Sequence, residues 1–124
     1  MADDPVARAR GLVGARFRLH GREADALDCV GLVARAHAVK NVPTGYPLRL
    51  GDSRVCTDAL RALGFAPVDT AAPGDVMLLQ AGPAQLHLGL WTGQGLVHAD
   101  AGVRRVVERP GAPPWPLLGI WRRR

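Results

Sequence analysis

The fold is organised around residues 26–33, which read ALDCVGLV and place a cysteine at the start of a predicted helix. Asp28 is a favourable N-cap, because its carboxylate can accept hydrogen bonds from the unpaired N–H groups of a first helical turn. Apolar residues then follow at the i, i+3, i+4 and i+7 spacing of one helix face, namely Cys29, Leu32, Val33 and Ala36. The pattern predicts a helix over about residues 29–39 with the sulfur at the leading end of its buried face.

The position of Cys29 has a chemical consequence. A helix N-terminus carries a partial positive charge and unpaired N–H groups, and both favour a thiolate over a thiol. Cys29 is therefore predicted to be nucleophilic. The alternative is that Cys29 is one more small core residue, as free cysteines usually are. The second cysteine, Cys56, falls in the middle of the buried face of another predicted helix and is interpreted as structural.

Length and composition predict one domain over residues 1–124, with 48% apolar residues, a normal share for a globular chain. The formal charge of +5 comes from 16 Lys and Arg against 11 Asp and Glu. No basic run is interleaved with aromatic residues, and the cluster at 122–124 is interpreted as a solvated tail, so the sequence does not predict a nucleic-acid partner. The positive charge favours anionic polymers such as cell wall, weakly and in a salt-dependent way.

Cellular context is read from the cysteines and the apolar runs. Two cysteines are too few for a disulfide framework, and both are expected to be reduced. The N-terminus is acidic and has no apolar segment, which predicts cytoplasmic synthesis without a signal peptide. No stretch approaches the length of a membrane span, so no membrane partner is expected.

The order of elements indicates an α+β chain. A short helix is predicted after Asp4, with an apolar face of Val6, Ala9, Leu12 and Val13. Residues 17–27 are interpreted as a polar loop and residues 40–51 as a second loop, after which Asp52 or Ser53 begins a helix that Gly64 ends. From residue 67 onwards the chain predicts about five short strands, with residues 110–116 as a proline-rich connector.

One predicted hairpin brings two histidines together. If Thr92 pairs with Gly95, paired residue numbers sum to 187, and His87 and His98 become diagonal neighbours on one sheet face. Their Cα atoms are then about 7–8 Å apart, so the imidazoles can meet, and a slip of two residues keeps them on the same face. Gly89 is expected to leave space beside them.

A cysteine at a helix start and two histidines on a strand face supply the parts of nucleophilic catalysis: a nucleophile, a base and a group that orients the base. Two other interpretations stay open on the residues alone. The histidines can be unrelated core residues, or Cys29, His87, His98 and an aspartate can bind zinc. No C-x-x-C or H-x-x-x-H spacing supports the zinc site.

Five motifs, in this order and spacing, resemble those of the NlpC-like cell-wall cysteine peptidases. The resemblance extends from about residue 7 to residue 120 and rests on residues 14–21 (GARFRLHG), 28–33 (DCVGLV), 73–76 (PGDV), 87–91 (HLGLW) and 97–99 (VHA). It implies a papain-like α+β fold, with N-terminal helices packed on a C-terminal antiparallel sheet. It also implies hydrolysis of peptidoglycan stem peptides, commonly between γ-D-glutamate and diaminopimelate.

The resemblance assigns roles by position and implies no cofactor. Cys29 corresponds to the nucleophile, His87 to the general base and acid, and His98 to the polar residue that orients His87. Asp28, Phe17 and His20 are placed on the substrate or oxyanion side of the site.

Three departures from the family pattern concern that side. Phe17 stands where a tyrosine with a helpful hydroxyl is common, His20 replaces a glycine, and Val30 replaces the serine that usually follows the cysteine. Val30 and the missing signal peptide make the chain similar to the branch encoded with phage tails and gene-transfer agents. Delivery to the cell wall by phage-like tail proteins is therefore expected, with cytoplasmic trimming of muropeptides as an alternative. A catalytically weak tail-structure protein and a zinc-binding module are the rival functions.

Overall fold

Helices occupy the first half of the chain in this computed structural model, which describes residues 4–42 and 52–123. The helices are α1 (Pro5–Gly11), α2 (Cys29–Ala36) and α3 (Ser53–Ala62). The strands are β1 (Arg16–Phe17), β2 (Arg22–Glu23), β3 (Ala26–Leu27), β4 (Phe65–Val68), β5 (Val76–Gly82), β6 (Gln85–Trp91), β7 (Gly95–Asp100), β8 (Arg105–Pro110) and β9 (Leu117–Arg123). Part of the predicted loop over residues 40–51 lies outside the described residues.

The described strands form one sheet of nine, in the order β2-β3-β1-β8-β7-β6-β5-β9-β4. All neighbours are antiparallel except β1 and β3, which run parallel. The α+β prediction is confirmed, but the estimate of five strands is wrong. The missed strands are β1, β2 and β3, of two residues each, and β4. Two residues are too few for the alternation that reveals a strand in a sequence.

The helix starts are capped as predicted. Asp4 accepts a hydrogen bond from the Val6 N–H at 2.9 Å, and Asp52 accepts one from Arg54 at the start of α3. The predicted face of α1 extends too far, because the helix ends at Gly11 and leaves Val13 45% exposed. Gly64, with φ +92°, follows α3 as expected of a residue that ends a helix.

Helix α2 is shorter than predicted, ending at Ala36 instead of residue 39. His37 caps it, and Ala38 adopts a left-handed φ of 55°. The chain then turns so that the Val39 N–H donates to the Ala34 carbonyl at 2.8 Å. This hydrogen-bond pattern belongs to a helix-ending turn that usually has glycine at the left-handed position. Because alanine stands there, the sequence does not show where the helix ends.

The two faces of the central sheet have different neighbours. Leu86, Leu88 and Leu90 of β6 pack in the clusters that contain α1, α2 and α3 residues, as the alternation in the sequence predicted. His87 and Trp91 point to the opposite face, where a smaller cluster contains Met77, Leu79 and Leu96. The sheet thus has helices on one face and the two histidines on the other. No helix in the described part of the chain is long and apolar enough to cross a membrane.

Candidate active site

Cys29 is the first residue of α2, where the sequence predicted it. Asp28 precedes it as the N-cap and accepts a hydrogen bond from the Gly31 N–H at 2.8 Å. As a first helical residue, Cys29 has a backbone N–H that takes no part in the helix's own hydrogen bonding. The thiol and this N–H therefore lie at the same end of α2.

Asp28 is buried, with 2% of its surface exposed, and its carboxylate binds several neighbouring residues. Besides Gly31, its carboxylate accepts hydrogen bonds from the His20 N–H at 2.8 Å and from the Arg22 guanidinium at 3.0 Å. These bonds attach the loop before β2 to the start of α2. Gly31 permits the close packing, because a Cβ there would collide with the carbonyl oxygen of Gly21. The carboxylate of Asp28 thus positions the backbone around Cys29.

The thiol is less acidic than its place on a helix suggests. Burial raises the pKa of Cys29 to about 12, although the backbone N–H groups of Leu88 and Val30 act in the opposite direction. The nearby charge of Asp28 adds to the increase in this pKa. The expectation of a thiolate in the resting protein is therefore not met, because loss of water around the sulfur outweighs the helix terminus.

The hairpin register is as predicted. Leu90 pairs with Val97 and Trp91 with Leu96, so paired residue numbers sum to 187, and Thr92 donates its N–H to Gly95 at 2.9 Å. In the described chain, β6 and β7 pair at these two positions next to the turn. Leu88, whose N–H faces the Cys29 sulfur, lies beyond the paired segment.

His87 and His98 form a hydrogen-bonded pair, with Nε2 of His87 3.0 Å from Nδ1 of His98. Their rings are perpendicular, and the ring centroids are 5.1 Å apart. The prediction that they share a sheet face and touch is confirmed. The space expected beside Gly89 is filled, because the Leu96 side chain packs against that glycine.

Both imidazoles are held neutral. Burial and, to a smaller extent, the proximity of His98 lower the pKa of His87 to about 4, against the opposing charge of Asp100. Burial also lowers the pKa of His98, which Asp100 again opposes. At neutral pH the resting site therefore holds a thiol and two neutral imidazoles.

One cleft of about 210 Å³ contains these groups. Cys29, His87 and His98 all line it, together with Asp28 and Phe17. The ring of Phe17 carries no hydrogen-bond donor, so that wall of the cleft is apolar where a tyrosine would offer a hydroxyl.

His20 is not among the described residues that line this cleft. Its backbone has a left-handed φ of 63°, and its N–H is used by Asp28. The substrate-side role expected for its side chain stays a prediction.

Two residues of the site were not assigned a role from the sequence. Trp115 lines the cleft from the proline-rich connector and contacts both imidazoles, with ring centroids 5.5 Å from His87 and 5.3 Å from His98. Asp100 also lines the cleft and accepts a hydrogen bond from the Gly102 N–H at 2.7 Å. For Trp115, the available sequence signal was a tryptophan that stands between two prolines in a predicted connector.

A metal site was the alternative reading of the same residues. Within residues 4–42 and 52–123, no group of three or more His, Cys, Asp or Glu side chains is arranged to hold a metal ion.

The chain is similar to several solved structures. No protein-family model and no curated protein matches the chain. NlpC2 from Trichomonas vaginalis superposes with a TM-score of 0.68 at 20% identity, over 99% of this chain and 48% of that one. The chain thus spans about half of that protein's length.

Two structures of peptidoglycan hydrolases are similar over most of the chain. The NlpC/p60 domain of the peptidoglycan hydrolase SagA has a TM-score of 0.58 at 19% identity, over 89% of both chains. The peptidoglycan hydrolase RipB from Mycobacterium tuberculosis has a TM-score of 0.55 at 21% identity, over 96% of this chain and 64% of that one. Together with the helices and the nine-stranded sheet described above, these similarities show that the chain has the NlpC/p60 fold.

Proposed function

We propose that the chain is a cysteine endopeptidase that hydrolyses peptidoglycan stem peptides. The observation that carries this proposal is the cleft that Cys29 lines together with the hydrogen-bonded pair of His87 and His98. The fold supports the substrate class, because similar structures include domains of peptidoglycan hydrolases. The bond between γ-D-glutamate and diaminopimelate is the expected point of cleavage.

The first step follows from the histidine pair. When Nε2–H of His87 donates to Nδ1 of His98, the Nδ1 of His87 is left as a free base. That nitrogen takes the thiol proton as the sulfur bonds to the substrate carbonyl carbon. His98 needs only to accept a hydrogen bond in this scheme, so it orients His87 and does not exchange the proton itself.

The negative charge that develops on the carbonyl oxygen requires donors already in place. The Cys29 N–H at the start of α2 supplies one. His87 then gives its proton to the leaving nitrogen as the C–N bond breaks, and an acyl thioester remains on Cys29. Water, deprotonated by His87, hydrolyses the thioester and regenerates the thiol.

Digestion of purified sacculi tests the proposal. The wild-type protein should release peptide fragments whose masses identify the broken bond, and Cys29→Ala should release none. Cys56→Ala is the matched control, because it removes the other thiol from the buried face of α3. Release of fragments by Cys29→Ala, or their absence with folded wild-type protein, would refute the proposed activity.

A catalytically weak structural protein is the second candidate, and the electrostatics of the site favour it. A thiol with a pKa of about 12 beside an imidazole with a pKa of about 4 holds little thiolate at neutral pH. Phe17 also offers no donor to the cleft. Binding of muropeptides without turnover, measured by calorimetry, would identify this function.

Delivery by a phage-like tail is the proposed route to the cell wall. It is supported by Val30, which stands where the cell-wall peptidases commonly have a serine. Co-purification of the chain with tail particles from the producing cell is the expected result. Recovery of the chain with soluble cytoplasmic protein alone would favour muropeptide trimming instead.

A further inference from the structure

Trp115 is in contact with both histidines of the proposed site. Its ring meets His87 at an interplanar angle of 79° and His98 at 85°, with centroid distances of 5.5 and 5.3 Å. The two imidazoles are themselves perpendicular, so the three rings pack edge to face around one point. Such contacts restrict the rotation of each ring, since turning one of them brings it into the others.

The backbone next to Trp115 is anchored to the sheet. The following residue, Pro116, accepts a hydrogen bond from the Gln80 N–H of β5 at 2.9 Å. One residue further, Leu117 pairs with Leu79, which on its other side pairs with His87. Trp115 therefore reaches the histidines over Leu79, on the face of the sheet that carries no helix.

The place of the ring determines what it does to the histidine pair. The hydrogen bond between Nε2 of His87 and Nδ1 of His98 has the indole packed against both of its partners. Water that reached either nitrogen would compete for this bond and allow His87 to turn. The described connector over residues 111–116 brings no charged side chain to the pair.

We propose that Trp115 is a positioning residue, which holds the His87–His98 pair in one orientation and keeps water from the hydrogen bond between them. The role rests on the proposed function, because it is the orientation that leaves Nδ1 of His87 free for the Cys29 thiol. Trp115 acts through the histidines and performs no proton transfer.

The charged and titratable groups that set the charge state of the pair come from two strands. For His87 these groups are His98 and Asp100 of β7, and for His98 they are Asp100 of β7 and Arg109 of β8. Of these, Asp100 favours the protonated form of His87 and His98 opposes it. Removing the indole changes none of these charges. A change in the pKa of the histidines after its removal therefore reports how well water reaches them.

The test is an NMR titration of the imidazole protons in the free protein. Trp115→Ala should raise the pKa of His87 by about one unit, because water then solvates the charged form. Trp115→Phe, which keeps an aromatic ring over the pair, should titrate close to the wild type. Trp91→Ala is the matched control, since Trp91 packs against the same Met77, Leu79 and Leu96 cluster at the hairpin end of β6.

Kinetics supply the second measurement. In Trp115→Ala, kcat should fall about tenfold with KM nearly unchanged, and the acid limb of the pH profile should move to higher pH. A loss confined to KM would assign the indole to substrate binding and overturn the positioning role.

Two titration results would also overturn it. A pKa of His87 that is unchanged in folded Trp115→Ala excludes shielding, and a lower one shows that the ring instead stabilises the imidazolium. Should Trp115→Ala not fold, Trp115→Leu takes its place with the same criteria. The titrations use no substrate, so they stand even if the sacculus digestion refutes the proposed function.

Discussion

The two thiols differ in what surrounds each sulfur atom. Cys29 lines the cleft beside His87, whereas Cys56 is 8% exposed among the side chains between α3 and the sheet. Burial raises the pKa of both, and that of Cys29 reaches about 12. Access to a base, and not the resting acidity, therefore separates the two cysteines.

Iodoacetamide should alkylate Cys29 far faster than Cys56 at neutral pH, because the reagent reaches the cleft and His87 can take the proton. The rate at Cys29 should keep increasing with pH, with no plateau until the pH approaches the thiol pKa of about 12. Peptide mass spectrometry after timed labelling measures both sites. His87→Ala should slow Cys29 and leave Cys56 unchanged, while a plateau below neutral pH would reveal a preformed thiolate.

The histidines should respond differently to substitution. His87→Ala should lose about 10²- to 10⁴-fold in kcat, because it removes the imidazole that is proposed to take the thiol proton. His98→Gln should keep a measurable fraction, since an amide oxygen can accept the His87 Nε2–H bond. Turnover of one muropeptide compares the two. Equal loss in both variants would contradict the roles assigned to them.

Phe17 and His20 test the oxyanion side. Phe17→Tyr should raise kcat or leave it unchanged, because it adds a hydroxyl to the cleft wall. His20→Gly should lower kcat several-fold if its side chain serves as the second donor. Its thermal midpoint should not fall, since φ is 63° at this position and glycine adopts such a backbone without strain. Unchanged turnover in His20→Gly would remove His20 from the mechanism.

At the scale of the element, the start of α2 depends on one buried carboxylate. Asp28 accepts hydrogen bonds from Gly31, His20 and Arg22, so its loss affects both the helix and the preceding loop. Asp52 caps α3 through Arg54 at an exposed position. The two aspartates thus give the same type of cap in different surroundings.

Asp28→Ala should lower the free energy of unfolding by about 3 kcal/mol, because it leaves the Arg22 charge and two N–H groups without this acceptor. Asp52→Ala is the control and should cost about 1 kcal/mol. Urea denaturation measures both. Similar losses in the two variants would show that Asp28 acts as an ordinary cap, with no role in holding the loop.

The elements that could be predicted are those with a local signal. The helix starts follow from Asp4, Asp28 and Asp52, and the hairpin register follows from the Thr92–Gly95 turn. The two-residue strands β1, β2 and β3 could not be predicted, because they form through pairing with strands distant in the chain. The end of α2 could not be predicted, because Ala38 adopts a φ of 55° that is more typical of glycine.

At the scale of the whole molecule, the candidate site also has some features with a local sequence signal and others without one. Cys29, His87 and His98 could be proposed as one site because their spacing resembles known motifs, and the three residues line the same cleft. Their pKa values could not, since these depend on how much water the folded chain excludes. The role of Trp115 could not be predicted for a related reason. Its contact with the histidines depends on the pairing of β9 with β5 and of β5 with β6, which no local sequence pattern reveals.

Burial of neutral histidines makes the stability of the whole fold depend on pH. Burial lowers the pKa of His37, whose Nε2 lies 2.8 Å from the Gly74 carbonyl, and the pKa of His98 and His87 as well. In the unfolded chain these imidazoles protonate near pH 6.5, whereas folded His87 stays neutral down to about pH 4. Acid therefore favours the unfolded state, which binds more protons in this window.

The free energy of unfolding should accordingly be greatest above about pH 6.5 and fall as the pH is lowered towards 4. His87 alone should account for a loss of about 3 kcal/mol across this window, at about 1.4 kcal/mol per pKa unit. Urea denaturation at a series of pH values measures the decline, and Glu108, whose pKa is lowered by its bond to Arg10, adds to it only at more acidic pH. The His87→Gln variant should show a shallower decline. A stability that stays constant from pH 6.5 to 4 would mean that water reaches the histidine pair in the folded protein, which the contacts of Trp115 with both rings argue against.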